Sequence, residues 1–381
     1  MAPSPMPPPS QITRRRFLLS SAALAAATAA VGSCTPSSSD EPDTDVLSVL
    51  NWSLYIDDTT IPRFEADHPY RVDYVEDYDD NYAALAELFA PIGQRESIGY
   101  DIVVPTYWVV DRLLANGWLE PVPIELVPNR VNIDPDFLGM PWDRGARFHL
   151  PWQVGITGIA YVPGRTPGPL ESVEDLFDPA LAGQVGMVLE MRESVGLTML
   201  TQGGDPSRAT TEAADRAFGR IEQATASGQI AGYTADFEAA FDQGLAACLA
   251  WSGDIVQLQQ ARPDLDVQFV IPVEGAIRWF DSMVIPGGAA NATAAAAWMN
   301  FVYDPANAAR ITIGVQYISP VRGVREELEA MGGEASALAS NPILFPDDET
   351  RRRLFFWSGL DADEEDVLDD RFNTLIEPHV I

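Results

Sequence analysis

The hydrophobic pattern of the first third of the chain alternates short apolar runs with segments of helical spacing. Apolar runs bounded by turn residues predict strands, and apolar residues three or four positions apart predict helices. In chain order the pattern predicts strands at 46–50, 71–77 and 100–104, and helices at 59–66, 81–89 and 108–115. This β-α-β-α-β order is typical of a mostly parallel sheet with helices on its faces.

A second set of elements follows. Strands are predicted at 147–152, 158–162, 184–189, 246–250 and 266–271, and a helix at 208–226. A strand at 281–285 is expected to re-enter the first sheet before an alanine-rich helix at 292–303. The pattern therefore predicts an α/β protein of two lobes joined by more than one crossover. Its expected parts are lobe I from 46–150, lobe II from 151–280, a return to lobe I over 281–330, and a C-terminal helical segment across the lobes at 331–381.

The first 34 residues have the pattern of an export signal. Three arginines precede an apolar stretch at 17–31, which is too short to predict a membrane span. Residues 13–19 fit a twin-arginine signal, and the run that ends at Cys34 fits a bacterial lipobox, whose cysteine is acylated. An ordinary Sec signal and an incidental cysteine are the alternatives. We expect an extracytoplasmic protein, periplasmic or anchored to the outer face of the cell membrane through Cys34, with a flexible tether at 35–45.

Charge and composition exclude several functions. The net charge is −32, which argues against nucleic acid as a partner. All 24 basic residues are arginine, so the chain has neither a Walker A lysine nor a lysine for a Schiff base. Cys34 and Cys248 are the two cysteines, and Cys248 lies in an apolar run where a buried, inert thiol is expected. We expect a monomer without cofactor or metal.

An acidic run near the C-terminus resembles a metal site at first sight. It extends over 361–366 and continues at Asp369 and Asp370. A solvated helix face is the simpler interpretation, with the arginines at 351–353 as local ion-pair partners.

Tryptophans and acids recur where strands end or begin. Trp52 follows the first predicted strand, Trp251 follows the strand at 246–250, and Trp279 precedes the strand at 281–285. Ligands of open parallel sheets bind beyond the carboxyl ends of the strands. A polyamine needs flat apolar walls for its methylenes and carboxylates for its ammonium groups, and this combination of residues supplies both.

Five segments resemble, in order, the signature segments of the periplasmic spermidine/putrescine-binding proteins. They are Asn51-Trp52-Ser53-x-Tyr55, Tyr100-Asp101-Ile102-Val103-Val104-Pro105-Thr106, Trp251-Ser252-Gly253-Asp254, Pro272-x-Glu274-Gly275 and Trp279-Phe280-Asp281-Ser282. The resemblance extends from about residue 47 to 357. It implies a two-lobed type II periplasmic-binding fold whose cleft closes by a hinge on a polyamine, and delivery of that polyamine to the permease of an ABC importer.

The resemblance also implies a binding site. Its expected walls are Trp52, Trp108, Trp251 and Trp279, with Tyr55 and Tyr317 beside them. Its expected counter-ions are Glu193, Asp254 and Asp281, with Glu190 ranked lower and with Ser53 and Thr106 as polar contacts. Leu54 and Ser358 depart from the family pattern. Both departures remove polar contacts from one end of the site, which slightly favours a diamine as the ligand.

Two alternatives stay open. The same fold could bind ferric iron, or an amino acid whose carboxylate pairs with Arg192 or Arg278. A tethered enzyme would use Glu193 and Asp281 as a general acid and base. Against an enzyme, the chain has no Gly-x-Ser-x-Gly elbow, and its three histidines lack metal-ligand spacing.

Overall fold

The computed structural model describes residues 45–381. The predicted signal, Cys34 and the tether up to residue 44 lie outside the described residues. The strands are β1 (Val46–Asn51), β2 (Arg71–Glu76), β3 (Ile102–Val103), β4 (Leu119–Glu120), β5 (His149–Tyr161), β6 (Val185–Val188), β7 (Ile230–Thr234), β8 (Ala247–Trp251), β9 (Gln268–Val270), β10 (Ala276–Pro286) and β11 (Leu354–Phe355).

The helices alternate with these strands along most of the chain. They are α1 (Thr60–Asp67), α2 (Asn81–Ala83), α3 (Tyr107–Ala115), α4 (Met191–Thr201), α5 (Thr211–Ala226), α6 (Phe237–Asp242), α7 (Ser252–Ala261), α8 (Ala292–Val302), α9 (Pro305–Val315), α10 (Val324–Met331), α11 (Gly333–Ala339), α12 (Asp348–Arg351) and α13 (Ala362–Ile376). No helix within residues 45–381 has the length and apolar character that a membrane span requires.

Two parallel groups of strands are joined by two long antiparallel strands. The strand order is β2-β1-β3-β10-β5-β8-β6-β7, with β4 and β11 paired to β10 and β9 paired to β5. Strand β1 runs parallel to β2 and β3, and β6 runs parallel to β7 and β8. Strands β5 and β10 pair antiparallel with each other and connect the two groups. This arrangement confirms the predicted α/β class and its two lobes joined by more than one crossover.

Strand β5 corrects one prediction. The expected strands at 147–152 and 158–162 are a single strand of 13 residues, all buried. Polar and glycine residues in its centre resembled a loop in the sequence, but β10 pairs with them from Gln153 to Thr157. The predicted lobe boundaries at residues 150 and 280 fall inside β5 and β10 respectively. Those boundaries stay a prediction.

Other elements match with small differences. The helix predicted at 81–89 begins as α2, with the Asp80 side chain accepting from the Ala83 N–H, and continues as a π-helix (Ala84–Leu88). The strand predicted at 281–285 is the second half of β10. Cys248 is fully buried and burial raises its thiol pKa far above the usual range, which agrees with an inert side chain.

Candidate ligand-binding site

The candidate site lies where the loop after β1, the loop after β3 and the middle of β10 meet. Trp52 follows β1, and its indole Nε1 donates to the Val104 carbonyl at 2.9 Å. The Trp52 ring packs edge-on against Tyr78, with ring centroids 4.7 Å apart. The carboxyl ends of β1, β2 and β3 therefore supply an aromatic wall, as expected for an open parallel sheet.

Asp281 is the centre of this meeting point. Its carboxylate accepts hydrogen bonds from the Tyr55 hydroxyl at 2.9 Å and from the Thr106 hydroxyl at 2.7 Å. The strand pairing between β10 and β5 is irregular just after Asp281, and Thr106 pairs with Asp281 as an isolated bridge. This irregularity lets the loop after β3 reach the carboxylate.

Asp281 is 4% exposed. Burial raises its pKa from 3.8 to about 7, and the hydrogen bonds from Thr106 and Tyr55 offset part of that rise. Within residues 45–381, no basic side chain forms an ion pair with Asp281 at 4.0 Å or less. A buried carboxylate held by neutral donors is poised to accept a cation.

Glu193 forms a second buried carboxylate, at the start of α4. One of its oxygens, Oε2, accepts from the Thr157 hydroxyl at 2.6 Å and from the Trp251 indole at 2.6 Å. The Trp279 indole donates to the same Thr157 hydroxyl at 3.0 Å. Burial raises the pKa of Glu193, and the two hydrogen bonds lower it in part. Two tryptophans are therefore held around one acid.

Asn81 connects a third acid, Glu190, to the Asp281 site. Its side-chain amide donates to the Thr106 hydroxyl at 3.0 Å and lies 3.5 Å from Glu190 Oε1, while its carbonyl oxygen accepts from Tyr78. Burial, followed by the charge of Glu193, raises the pKa of Glu190. Glu190 thus belongs to the same network as Thr106 and Asp281.

Tyr317 closes the network on the side of α7. Its ring centroid lies 5.4 Å from Tyr55 and 5.7 Å from Trp279. Gly253 makes this possible, because a Cβ there would lie 2.3 Å from the Tyr317 ring. Asp254 is the next residue, and its charge contributes to the raised pKa of Tyr55, after burial, Asp281 and Tyr317.

Two predicted residues have other contacts. The Trp108 ring lies under the Arg192 guanidinium at 3.8 Å and beside Tyr82 at 5.1 Å. The Ser53 hydroxyl donates to the Glu76 carbonyl at 3.2 Å. Their roles as a wall and as a polar contact stay predictions.

The acidic run at 361–370 is corrected by the structure. It forms most of α13, and two of its acids face inward instead of solvent. Arg192, itself 2% exposed, pairs with Asp369 through two nitrogens at 2.9 and 3.1 Å and with Glu365 at 2.7 Å. Arg112 lies 3.4 Å from Glu365. The prediction of a solvated face is therefore wrong for these two acids, because a distant arginine is buried against them.

The arginines at 351–353 do not pair with that run in the structure. Arg351 forms an ion pair with Asp134 at 3.2 Å, and Arg353 donates to the Pro272 carbonyl at 3.0 Å. The expectation of local pairing was wrong, since α13 turns its acids towards α3 and α4 instead.

Sequence reasoning missed three residues of the network: Tyr78, Asn81 and Thr157. Tyr78 and Asn81 follow β2, and the rule that selected residues after β1 and β3 would have selected them too. Thr157 lies inside β5, and its role depends on its neighbours in α4 and β10. No local sequence signal identifies it.

The structure weakens one alternative ligand type, the amino acid. Arg192 is engaged by Asp369 and Glu365, and Arg278 by Asp136 at 3.5 Å and the Phe356 ring at 4.3 Å. Neither arginine is placed to receive the carboxylate of an amino acid.

Comparison with known proteins identifies relatives of the whole folded part. A spermidine/putrescine-binding periplasmic protein of Escherichia coli is 26% identical over 318 residues, covering 82% of this chain and 87% of the relative. A putrescine-binding periplasmic protein of Pseudomonas aeruginosa is 26% identical over 340 residues, covering 84% of this chain and 89% of the relative. These names confirm the family resemblance that the sequence motifs indicated.

Solved structures confirm the fold. The spermidine/putrescine ABC transporter substrate-binding protein of Streptococcus pneumoniae superposes with a TM-score of 0.73 at 24% identity, covering 87% of this chain and 99% of that chain.

A family model described as bacterial extracellular solute-binding protein matches residues 59–343. Such proteins bind solutes and are not enzymes. The chain therefore belongs to the family of bacterial extracellular solute-binding proteins.

Proposed function

We propose that the protein captures a polyamine, putrescine or spermidine, outside the cytoplasm and delivers it to an ABC importer. The observation that carries this proposal is the state of Asp281. Its carboxylate is buried, its hydrogen-bond partners among the described residues are the neutral hydroxyls of Tyr55 and Thr106, and the Tyr55 ring packs against Tyr317.

The physical basis is the balance between desolvation and charge. A buried carboxylate without a counter-charge tends to keep a proton, which is what the raised pKa of Asp281 expresses. An ammonium group at this position would replace that proton and restore the ion pair. The ring faces of Trp279 and Trp251 would each attract the cation by about 0.5 to 2 kcal/mol and cover the methylene chain.

A flexible dication needs a second acceptor at the other end of its chain. Glu193 and Asp254 are the candidates for that end, and Glu190 is a further one through its contact with Asn81. The relatives that are named for spermidine and putrescine support this ligand class. Leu54 and Ser358 supply no acid or amide, which agrees with a short diamine.

A ligand panel tests the proposal. The purified protein, stripped of bound solute by unfolding and refolding, is heated with putrescine, spermidine, spermine, ferric citrate or single amino acids. A polyamine at a hundred times its Kd stabilises the fold by about 2.7 kcal/mol, and we expect such a shift from polyamines alone. Stabilisation by an amino acid or by ferric citrate, with none from any polyamine, would overturn the proposal.

Export and anchoring form the second part of the proposal. The twin-arginine motif and the lipobox at Cys34 support a lipidated protein on the outer face of the membrane. In a bacterial host, the wild-type chain should sediment with membranes, and Cys34→Ser should appear in the soluble extracytoplasmic fraction. Equal distribution of the two proteins would contradict the anchor.

A further inference from the structure

Thr157 joins two parts of the candidate site that the chain keeps far apart. It lies in β5, is fully buried, and its hydroxyl contacts Glu193 of α4 and Trp279 of β10. The hydroxyl donates its one proton to Glu193 Oε2 at 2.6 Å and accepts the Trp279 indole N–H at 3.0 Å. Each role of the hydroxyl is therefore used once.

This arrangement distinguishes the two oxygens of Glu193. Oε2 accepts two hydrogen bonds, from the Thr157 hydroxyl and from the Trp251 indole, each at 2.6 Å. An oxygen that receives two donors at this distance is the unprotonated oxygen of the carboxyl group. Oε1 is then the oxygen that carries a titrating proton or meets a cation.

The Trp279 ring is held by the same strand. A Cβ at Gly155, which pairs with Trp279 across the sheet, would lie 2.2 Å from the ring. The ring therefore lies directly over the backbone of β5 at Gly155, and its nitrogen reaches Thr157 two residues further on. Gly155 provides the space for the ring, and Thr157 fixes its rotation.

We propose that Thr157 is a positioning residue, which sets the spacing between the Trp279 wall and the Glu193 carboxylate so that an ammonium group and its neighbouring methylenes fit together. This inference deepens the proposed function and rests on it for the identity of the ligand. The charged groups that face Glu193 are Asp281 from β10, and Arg192 and Glu190 from the start of α4. Thr157 is the neutral group that connects this acid to a ring.

Two variants distinguish the effect of the Thr157 hydroxyl from the effect of the side-chain shape. Thr157→Val keeps the branched shape and loses both hydrogen bonds, whereas Thr157→Ser keeps the hydroxyl. By titration calorimetry with putrescine, we expect Thr157→Val to bind about 10- to 100-fold more weakly, and Thr157→Ser to stay within about threefold of the wild type. Equal affinity for wild type and Thr157→Val would overturn the proposal.

A ligand-free measurement keeps this test independent of the ligand. The indole N–H signals of Trp251 and Trp279 are followed by NMR between pH 5 and 9, in an Asp281→Asn background that removes the neighbouring acid. With Thr157 present, the chemical shifts of both signals should change with pH, and both changes should have the midpoint at which Glu193 loses its proton. With Thr157→Val, the Trp251 signal should still titrate with Glu193, at a higher pH because the lost Thr157 hydrogen bond had lowered the Glu193 pKa, and the Trp279 signal should no longer follow that titration.

The outcomes are distinguishable. If the wild type binds no polyamine, the proposed function fails, and the NMR titration still decides whether Thr157 couples Glu193 to Trp279. If the Trp279 signal titrates identically in the Thr157→Val protein, the positioning role is wrong, whatever ligand the site binds.

Discussion

The hydroxyl of Tyr55 donates a 2.9 Å hydrogen bond to the carboxylate of Asp281, a residue 226 positions further along the chain. The bond joins the loop after β1 to the middle of β10. Both side chains are buried, at 6% and 4% exposure. The contact therefore desolvates an acid whose hydrogen-bond donors, Tyr55 and Thr106, are both neutral, and a bound cation would offset that cost.

Replacing Asp281 by Asn should remove binding and stabilise the ligand-free protein at high pH. The loss of a buried counter-ion should weaken putrescine binding by at least about 100-fold, measured by calorimetry. The pKa of Asp281 is raised from 3.8 to about 7, so the stability contributed by its protonated form is complete below about pH 4 and is lost as the pH rises through 7. Urea unfolding at pH 8 should therefore show Asp281→Asn more stable than wild type by about 2 to 4 kcal/mol, with a smaller difference at pH 4.

The matched control for that variant is Asp363→Asn, which changes an exposed acid in the first turn of α13. It should leave binding unchanged and should show no gain in stability at pH 8. A wild-type affinity in Asp281→Asn would contradict the assignment of Asp281 as the counter-ion.

Binding should release a proton and strengthen between pH 6 and pH 8. Asp281 must ionise to pair with an ammonium group, and the amines of a polyamine stay charged in this range. With the pKa at about 7, the affinity should rise about tenfold over those two pH units and level off above them. Calorimetry at pH 7 in phosphate and in MOPS measures the released proton, because the two buffers differ in ionisation enthalpy. Identical binding heats in the two buffers, together with an affinity that does not change with pH, would contradict proton release from Asp281.

Gly253→Ala should weaken binding while the protein stays folded. A Cβ at residue 253 would lie 2.3 Å from the Tyr317 ring, so the ring must move away from Tyr55 and Trp279. We expect a loss of affinity of about tenfold or more, which corresponds to roughly 1.4 kcal/mol. Gly219→Ala is the control, since it also lies in a helix and its Cβ would meet nothing within 4 Å. It should keep its affinity and gain about 0.5 to 1 kcal/mol of stability.

Arg192→Gln should destabilise the fold strongly. It would leave the buried acid Asp369 and the partly buried Glu365 without their closest cation, and breaking a buried ion pair typically costs about 3 to 5 kcal/mol. Arg216→Gln breaks an exposed pair with Glu212 on one helix and should cost about 0.5 kcal/mol or less. Urea unfolding of both variants measures the difference, and similar costs would show that the α13 contacts contribute little.

The sequence predicted most elements of the fold because their signals are local. Strand β1 and helix α1 follow from a run of apolar residues and from helical spacing over a few positions. Strand β5 was divided in two because the residues at its centre, from Gln153 to Thr157, look like a loop until β10 lies beside them. Their burial depends on a partner more than 100 positions away, which no local pattern contains.

The site shows the same limit. The sequence was sufficient to select Asp281 and Glu193. The structure gives Asp281 hydrogen bonds from Tyr55 and Thr106, and gives Glu193 one from Trp251. The inward face of α13 was predicted to be solvated. Acids four positions apart share one face of a helix, but this spacing does not indicate whether that face meets solvent or another part of the protein. The sequence does not indicate that Arg192 lies buried against that face.

The ion pairs of α13 have a consequence for the affinity of a bound solute. They connect α4, which carries Glu193, to α3 through Arg112. The concentration at which a solute half-saturates such a protein reflects its own contacts together with the energy needed to bring the two halves into their binding-competent arrangement. If the proposed function holds, substitutions in α13 would therefore change the solute concentration at which the protein is half-saturated, while the residues that select the solute stay the same.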